Sequence, residues 1–252
     1  MSVRYDVDGA VVTVTIDRPD VRNAVDVATA IGLAESFRRF ESDAALSVAI
    51  LTGAGGHFCA GFDLKALAGG TGNRLSEAGD GPMGPTRMVL SKPVLAAIEG
   101  YAVAGGMELA LWCDLRVASS TAILGVFNRR FGVPLIDLGT VRLPRMIGQG
   151  RALDLILTGR EVAAGEALRI GLVERVVEPG QALTQARLIA ERIAKFPQGA
   201  VRADRQSVLN QWSLSFEQAV KAEYRGGLDV ISSGEAREGA RRFTEGAGRH
   251  GG

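Results

Sequence analysis

Cysteine is scarce in this chain: Cys59 and Cys113 are the only two in 252 residues. They form neither a metal-ligand pair nor a disulfide framework. The expectation is two reduced thiols in a cytoplasmic protein. Histidine is equally rare, at His57 and His250, so no histidine cluster is available for a metal. Charge of one sign is missing too: 29 Lys and Arg stand against 28 Asp and Glu. That removes bulk attraction to nucleic acid or to an anionic membrane. No apolar run is long enough to span a membrane. The most apolar region, 89–118, is cut by Lys92, Glu99, Glu108 and Asp114. The opening Met1-Ser2-Val3-Arg4-Tyr5-Asp6 lacks the apolar core of a signal peptide. No dinucleotide fingerprint follows a strand.

What is present is a globular composition, 46% hydrophobic, with 33 glycines. The length suits one large domain, or one domain with an appendage. Val11 to Ile16 is β-branched and runs into a turn at Asp17-Arg18-Pro19-Asp20. From Asn23 to Phe40 the spacing is helical, with Val27, Ile31, Ala34 and Phe37 on one face. Leu46 to Leu51, Val94 to Ile98 and Leu115 to Ala118 read as further strands. Near-continuous apolar strands separated by helices predict an α/β fold whose sheet is covered on both faces. Residues 69–85 carry six glycines and two prolines and predict a surface loop, either a mobile lid or an ordinary insertion. From Gly180 the pattern is helical, over 182–195, 199–212, 215–231 and 234–243. The division is an α/β body at 1–195 and a helical region at 196–252, with a frayed end from Gly246.

Two segments are suited to presenting backbone amides. One is Gly100-Tyr101-Ala102-Val103-Ala104-Gly105-Gly106-Met107-Glu108-Leu109, a glycine pair opening a helix with a carboxylate in its first turn. First-turn amides have no partner within a helix, and the dipole there favours an oxygen that gains negative charge. The other is His57-Phe58-Cys59-Ala60-Gly61-Phe62-Asp63-Leu64-Lys65, after a strand and a glycine turn. Two donors converging on one point is what the oxyanion of a thioester reaction needs. Glu108 is either a stabilising charge at the helix start or a group that moves a proton.

These segments resemble the crotonase superfamily, the enoyl-CoA hydratases and isomerases. The resemblance covers nearly the whole chain. Arg18-Pro19-Asp20-Val21-Arg22-Asn23-Ala24 is similar to the family's N-terminal turn, and His57 to Lys65 to its Phe-Cys-Ala-Gly-x-Asp-Leu-Lys segment. Lys92-Pro93-Val94 leads into its Gly-Gly-x-Glu-Leu helix and on to Cys113-Asp114-Leu115-Arg116. Ala163 to Ala167 and Gly171 to Val177 match later landmarks. The resemblance implies a crotonase-type ββα spiral with a C-terminal helical region, assembled as a homotrimer or a hexamer. It implies an acyl-CoA thioester substrate, with coenzyme A arriving on the substrate and no other cofactor or metal. The amides of Phe62 and Gly105 would form the oxyanion hole. Backbone around Ala24 and Ala60 would grip CoA, with Asp63 in the same segment. Lys65 and Arg22 would meet its phosphates, a solvated side chain being the alternative for each.

Glu108 aligns with one of two glutamates that activate water in the hydratases. The other position holds Asn128, which can hydrogen-bond a water but cannot take its proton. Asp137 sits next to the position where dienoyl-CoA isomerases of the family carry a catalytic aspartate. It is read as an acid in an apolar loop, or as a helix-start aspartate paired with Arg142 or Arg145. Arg129 and Arg130 have open roles: a substrate carboxylate, support for Asp137, a subunit contact or solvent. Cys59 and His57 read as packing residues rather than catalysts. Hydration of a trans-2-enoyl-CoA leads. Isomerisation follows, then hydrolysis, decarboxylation or carbon–carbon cleavage of an atypical acyl-CoA, and then acyl-CoA binding with little catalysis.

Overall fold

A computed structural model describes residues 2–246; the end expected to fray lies outside them, apart from Gly246. The first part runs β1 (Val3–Asp8), β2 (Val11–Ile16), α1 (Val27–Ser42), β3 (Val48–Gly53), α2 (Leu64–Ala68), β4 (Val94–Ile98), β5 (Tyr101–Val103) and α3 (Gly105–Trp112). It continues through β6 (Leu115–Ser119), β7 (Ile123–Gly125), α4 (Gly139–Ile147), α5 (Gln149–Thr158), β8 (Val162–Ala163), α6 (Ala164–Arg169) and β9 (Arg175–Val177). Four helices close the chain: α7 (Ala182–Ala194), α8 (Gln198–Asn210), α9 (Phe216–Ser232) and α10 (Glu235–Thr244).

The main sheet has the order β1-β2-β3-β4-β6-β9, parallel except for the β1–β2 hairpin. β2 and β4 are buried at every position, as strands covered on both faces must be. One face packs on α1 and α3; α7 covers the other with Ala182, Ala186 and Ala190. A smaller sheet, β5-β7-β8, lies beside it. A single bridge joins Cys59 to Ala102 in β5, and another joins Val25 to Phe62 between two loops.

One expectation is corrected here. The first helix starts at Val27 rather than Asn23. Arg22 and Asn23 both adopt left-handed backbone, and Asp26 caps the helix by accepting from the Thr29 amide. Its buried stripe is Ala30, Leu33, Ala34, Phe37 and Phe40, while Val27 and Ile31 face outward. The stripe is rotated toward the two phenylalanines because they bury the most area. Asn23 is fully buried: its Oδ1 accepts from the Arg18 amide, and its Nδ2 donates to the Ala54 and His57 carbonyls.

Residues 69–84 contain no strand or helix, and side chains tie them to the body. Asn73 Nδ2 donates to the carbonyls of Val25 and Pro82, Arg38 pairs with Asp80, and Met83 is fully buried.

Candidate active site

The Gly61-Phe62 turn and the start of α3 lie against each other. A Cβ on Gly61 would come within 2.8 Å of the Gly105 nitrogen, and one on Gly106 within 2.1 Å of the Cys59 carbonyl oxygen. Only glycine permits that approach. Neither the Phe62 nor the Gly105 N–H donates to another described residue. Both residues line one cavity of about 570 Å³. Its walls are largely apolar and include Leu64, Leu67, Leu75, Phe131, Pro134 and Ile136.

Glu108 lies on this cavity, one turn into α3, and is only 3% exposed. Its Oε1 accepts from the amides of Asp137 and Gly139, each at 2.9 Å. A Cβ on Gly139 would sit 2.8 Å from that oxygen, so the glycine makes the seat possible. Burial first, and the Asp137 charge second, push the Glu108 carboxyl up to about 7; the two amides and Arg142 pull the other way. A carboxyl with that proton affinity exchanges protons readily near neutrality.

Asp137 lines the same cavity and is 2% exposed. Its Oδ1 accepts from the Met83 amide at 3.0 Å and from the Thr86 hydroxyl. Burial raises its carboxyl, opposed by Thr86, the Met83 amide, Arg87 and Arg142. The expected side-chain pairings are absent. Arg142 instead donates to the backbone carbonyls of Asp137 and Thr86, and Arg145 lies over the Trp212 ring. Nor does Asp137 cap a helix: the residue preceding α4 is Leu138, in left-handed backbone.

Asn128 completes the polar lining of this end. Its Nδ2 donates to the Val133 carbonyl at 2.9 Å, while its Oδ1 is buried with no partner. Arg129 and Arg130 turn away from the cavity. Arg129 donates to the Ile156 carbonyl; Arg130 donates to that of Gly159 and covers Phe127. They fasten the 127–131 turn to the end of α5.

At the opposite end Arg22 and Ala60 line the cavity, and Arg22 stands 5.2 Å from the Tyr101 ring. The Ala60 amide donates to the Arg22 carbonyl, and the Ala24 carbonyl accepts from Arg18. Asp63 is fully engaged: Oδ1 caps α2 through the Lys65 and Ala66 amides, and Oδ2 pairs with Arg18 at 3.1 Å. Lys65 is exposed on α2, off the cavity. His57 stacks on Tyr101 and accepts from its amide. Cys59 is buried and pushed up to about 12, so it stays a neutral thiol. No group of three or more potential metal ligands occurs among the described residues. Met83, Thr86 and Gly139 were not legible as site residues. Their roles exist only through contacts with Asp137 and Glu108 that are 31 to 54 residues distant in sequence.

Two amides with no partner among the described residues and a buried carboxylate share this apolar cavity, on an α/β fold of the crotonase type. Residues 6–249 match the family model "Enoyl-CoA hydratase/isomerase", and the chain belongs to that family. It is 37% identical over 244 residues to enoyl-CoA hydratase EchA19 of Mycobacterium tuberculosis, covering 94% of this chain and 91% of that one. It is 38% identical over 243 residues to carnitinyl-CoA dehydratase of Proteus mirabilis, covering 94% and 93%. A crystal structure of an enoyl-CoA hydratase from Mycobacterium tuberculosis H37Rv superposes with a TM-score of 0.92 at 38% identity, covering 97% and 96%. The chain is thus an acyl-CoA enzyme of the crotonase type.

Proposed function

We propose that this chain is an enoyl-CoA hydratase that adds water across the double bond of a trans-2-enoyl thioester. The observation that supports this best is Glu108: buried on the cavity, held through one oxygen by two amides, and poised near neutral pH. The thioester carbonyl lies against the Phe62 and Gly105 N–H groups. Glu108 takes a proton from water as the water oxygen bonds to the β-carbon. The double-bond electrons pass to the thioester oxygen as an enolate, which the two amides stabilise. The α-carbon then takes a proton from Glu108, restoring its carboxylate. Asp137 is the second proton carrier on the same wall, and its charge raises the proton affinity of Glu108.

Arg22, at the cavity lip, takes a CoA phosphate, and Lys65 on exposed α2 a second. Backbone at Ala24 and Ala60 holds the pantetheine, and Asp63 holds that backbone in place through α2 and Arg18. No cofactor beyond the substrate's CoA enters this scheme. The body at 1–195 carries the chemistry. The helical region from 196 assembles trimers, alone or in pairs, through the apolar face of α9, where Phe216, Val220, Tyr224 and Ile231 are exposed. No helix among the described residues is long and apolar enough to cross a membrane, and the two free thiols fit a cytoplasmic setting.

Two carboxyls on one wall also support isomerisation, in which a proton leaves one carbon and returns to another. A trans-2-enoyl-CoA incubated in ¹⁸O-labelled water separates the readings. Hydration gives one labelled oxygen in the product and loss of the enoyl absorbance. An unchanged mass with a moved double bond, or release of free CoA, overturns it.

A further inference from the structure

Asp137 is held by one oxygen only. Its Oδ1 accepts from the Met83 amide at 3.0 Å and from the Thr86 hydroxyl, while its Oδ2 accepts from no described residue. That second oxygen is not sealed off by protein, and Asp137 lines the cavity. Thr86 is fully buried, and its hydroxyl makes no other hydrogen bond among the described residues. The hydroxyl hydrogen therefore has Oδ1 as its acceptor.

The seat is built from a short stretch of chain. Gly81 and Gly84 exchange backbone hydrogen bonds of 3.0 and 2.8 Å, closing a tight turn over Pro82 and Met83. Gly84 stands at φ +91°, a conformation that glycine favours. The turn aims the Met83 amide at Asp137. A Cβ on Gly81 would strike the Thr86 hydroxyl and stand 2.6 Å from Asp137 Oδ1. Arg142 ties the two backbones together by donating to the carbonyls of Asp137 and Thr86. The charged groups that face Asp137 are Glu108 from α3, Arg142 from α4 and Arg87 from the turn at 85–87. Burial raises the Asp137 carboxyl, and the Thr86 hydroxyl is foremost among the groups that pull it back.

We propose that Thr86 is a positioning residue for proton transfer: fixed donors occupy Oδ1, so the proton that Asp137 carries sits on Oδ2 and is presented to the cavity. This rests on the hydratase reading, in which Asp137 is the second proton carrier beside Glu108. Glu108 is held in the same manner, with Oε1 taken by two amides, so each carboxyl offers the cavity its other oxygen. Thr86 does not line the cavity and acts only through Asp137.

Infrared difference spectra across a pH titration read the protonated Asp137 carboxyl directly. They are taken in the Glu108→Gln background, with Asp137→Asn marking the band. In Thr86→Val the band persists to higher pH by about one pH unit, as expected when the ionised form loses one hydrogen bond. Thr86→Ser returns it. With Glu108 intact, Thr86→Val lowers kcat about tenfold with KM within about twofold, and Thr86→Ser restores it. Thr86→Ala serves the same comparison should valine prevent folding. A band that titrates alike with and without the hydroxyl, a shift that serine does not reverse, or an unchanged kcat in a protein that hydrates overturns the proposal. Hydration by the unaltered enzyme is scored separately. A protein that hydrates no enoyl-CoA yet keeps the Thr86-dependent titration refutes the hydratase reading alone.

Discussion

Two helices of this chain live in opposite environments. Every residue of α3 from Gly105 to Leu111 is buried, whereas α9 buries none, and its Phe216 is 86% exposed. The first is enclosed by its own chain because two glycines let neighbouring backbone pack directly onto it. The second packs on α8 and α10 and leaves Phe216, Val220, Tyr224 and Ile231 exposed. The contrast separates two jobs. In the proposed arrangement the body holds the cavity around Glu108, and the exposed apolar face of α9 is the surface for another subunit.

The sharpest way to break that division is at Glu108. Glu108→Gln keeps both amide contacts to its oxygen and removes the proton carrier. Turnover should fall by about 10²–10⁴-fold while binding of a saturated acyl-CoA stays within about twofold. Loss of binding along with turnover would make Glu108 structural. Gly139→Ala probes the seat itself, since the added carbon would press on Glu108 Oε1. Steady-state kinetics should show kcat down by about 10²-fold in a protein that still melts cooperatively. The counterpart in the tail is Phe216→Asp with Tyr224→Asp. Sedimentation velocity should show a trimer or larger species becoming a monomer with unchanged far-ultraviolet dichroism. A wild-type monomer would contradict the assigned role of α9.

The remaining predictions concern pH. A base must be ionised, so kcat/KM should rise with pH through about 7, the value to which Glu108 is pushed. Asp137→Asn removes a charge that raises Glu108 and should move that limb to lower pH. For stability the sign is opposite. The folded Glu108 holds its proton more tightly than the unfolded one. Its contribution is full below its ordinary value of 4.5 and is lost as pH rises through about 7. Thermal unfolding of Glu108→Gln should therefore lack this decline and lie above wild type at pH 8. An equal loss on going from pH 5 to pH 8 in both proteins would show that Glu108 is not the buried titrating group.

Much of this could be read from the sequence, and the rest could not for identifiable reasons. β2, β4 and the glycine-opened α3 follow from local composition, which burial reinforces rather than overrides. The start of α1 was obscured because Arg22 and Asn23 take left-handed backbone, a choice fixed by the bonds of Asn23 to Ala54 and His57. The sequence leaves 69–85 open between a lid and an ordinary insertion because its anchors are tertiary: Asn73 reaches back to Val25, and Asp137 reaches back to Met83 and Thr86. For Arg129 and Arg130 the sequence leaves a substrate carboxylate, Asp137, a subunit contact and solvent all open. Their direction is set by the carbonyls of Ile156 and Gly159, which no local pattern reveals.

The proposed chemistry rests on the Phe62 and Gly105 amides gripping one thioester oxygen. Infrared spectroscopy of a bound butyryl thioester, ¹³C-labelled at its carbonyl, reads that grip directly. The carbonyl stretch should shift to lower frequency than in water, as expected for two donors in an apolar cavity. A stretch at or above its frequency in water would mean that no such hole acts on the substrate.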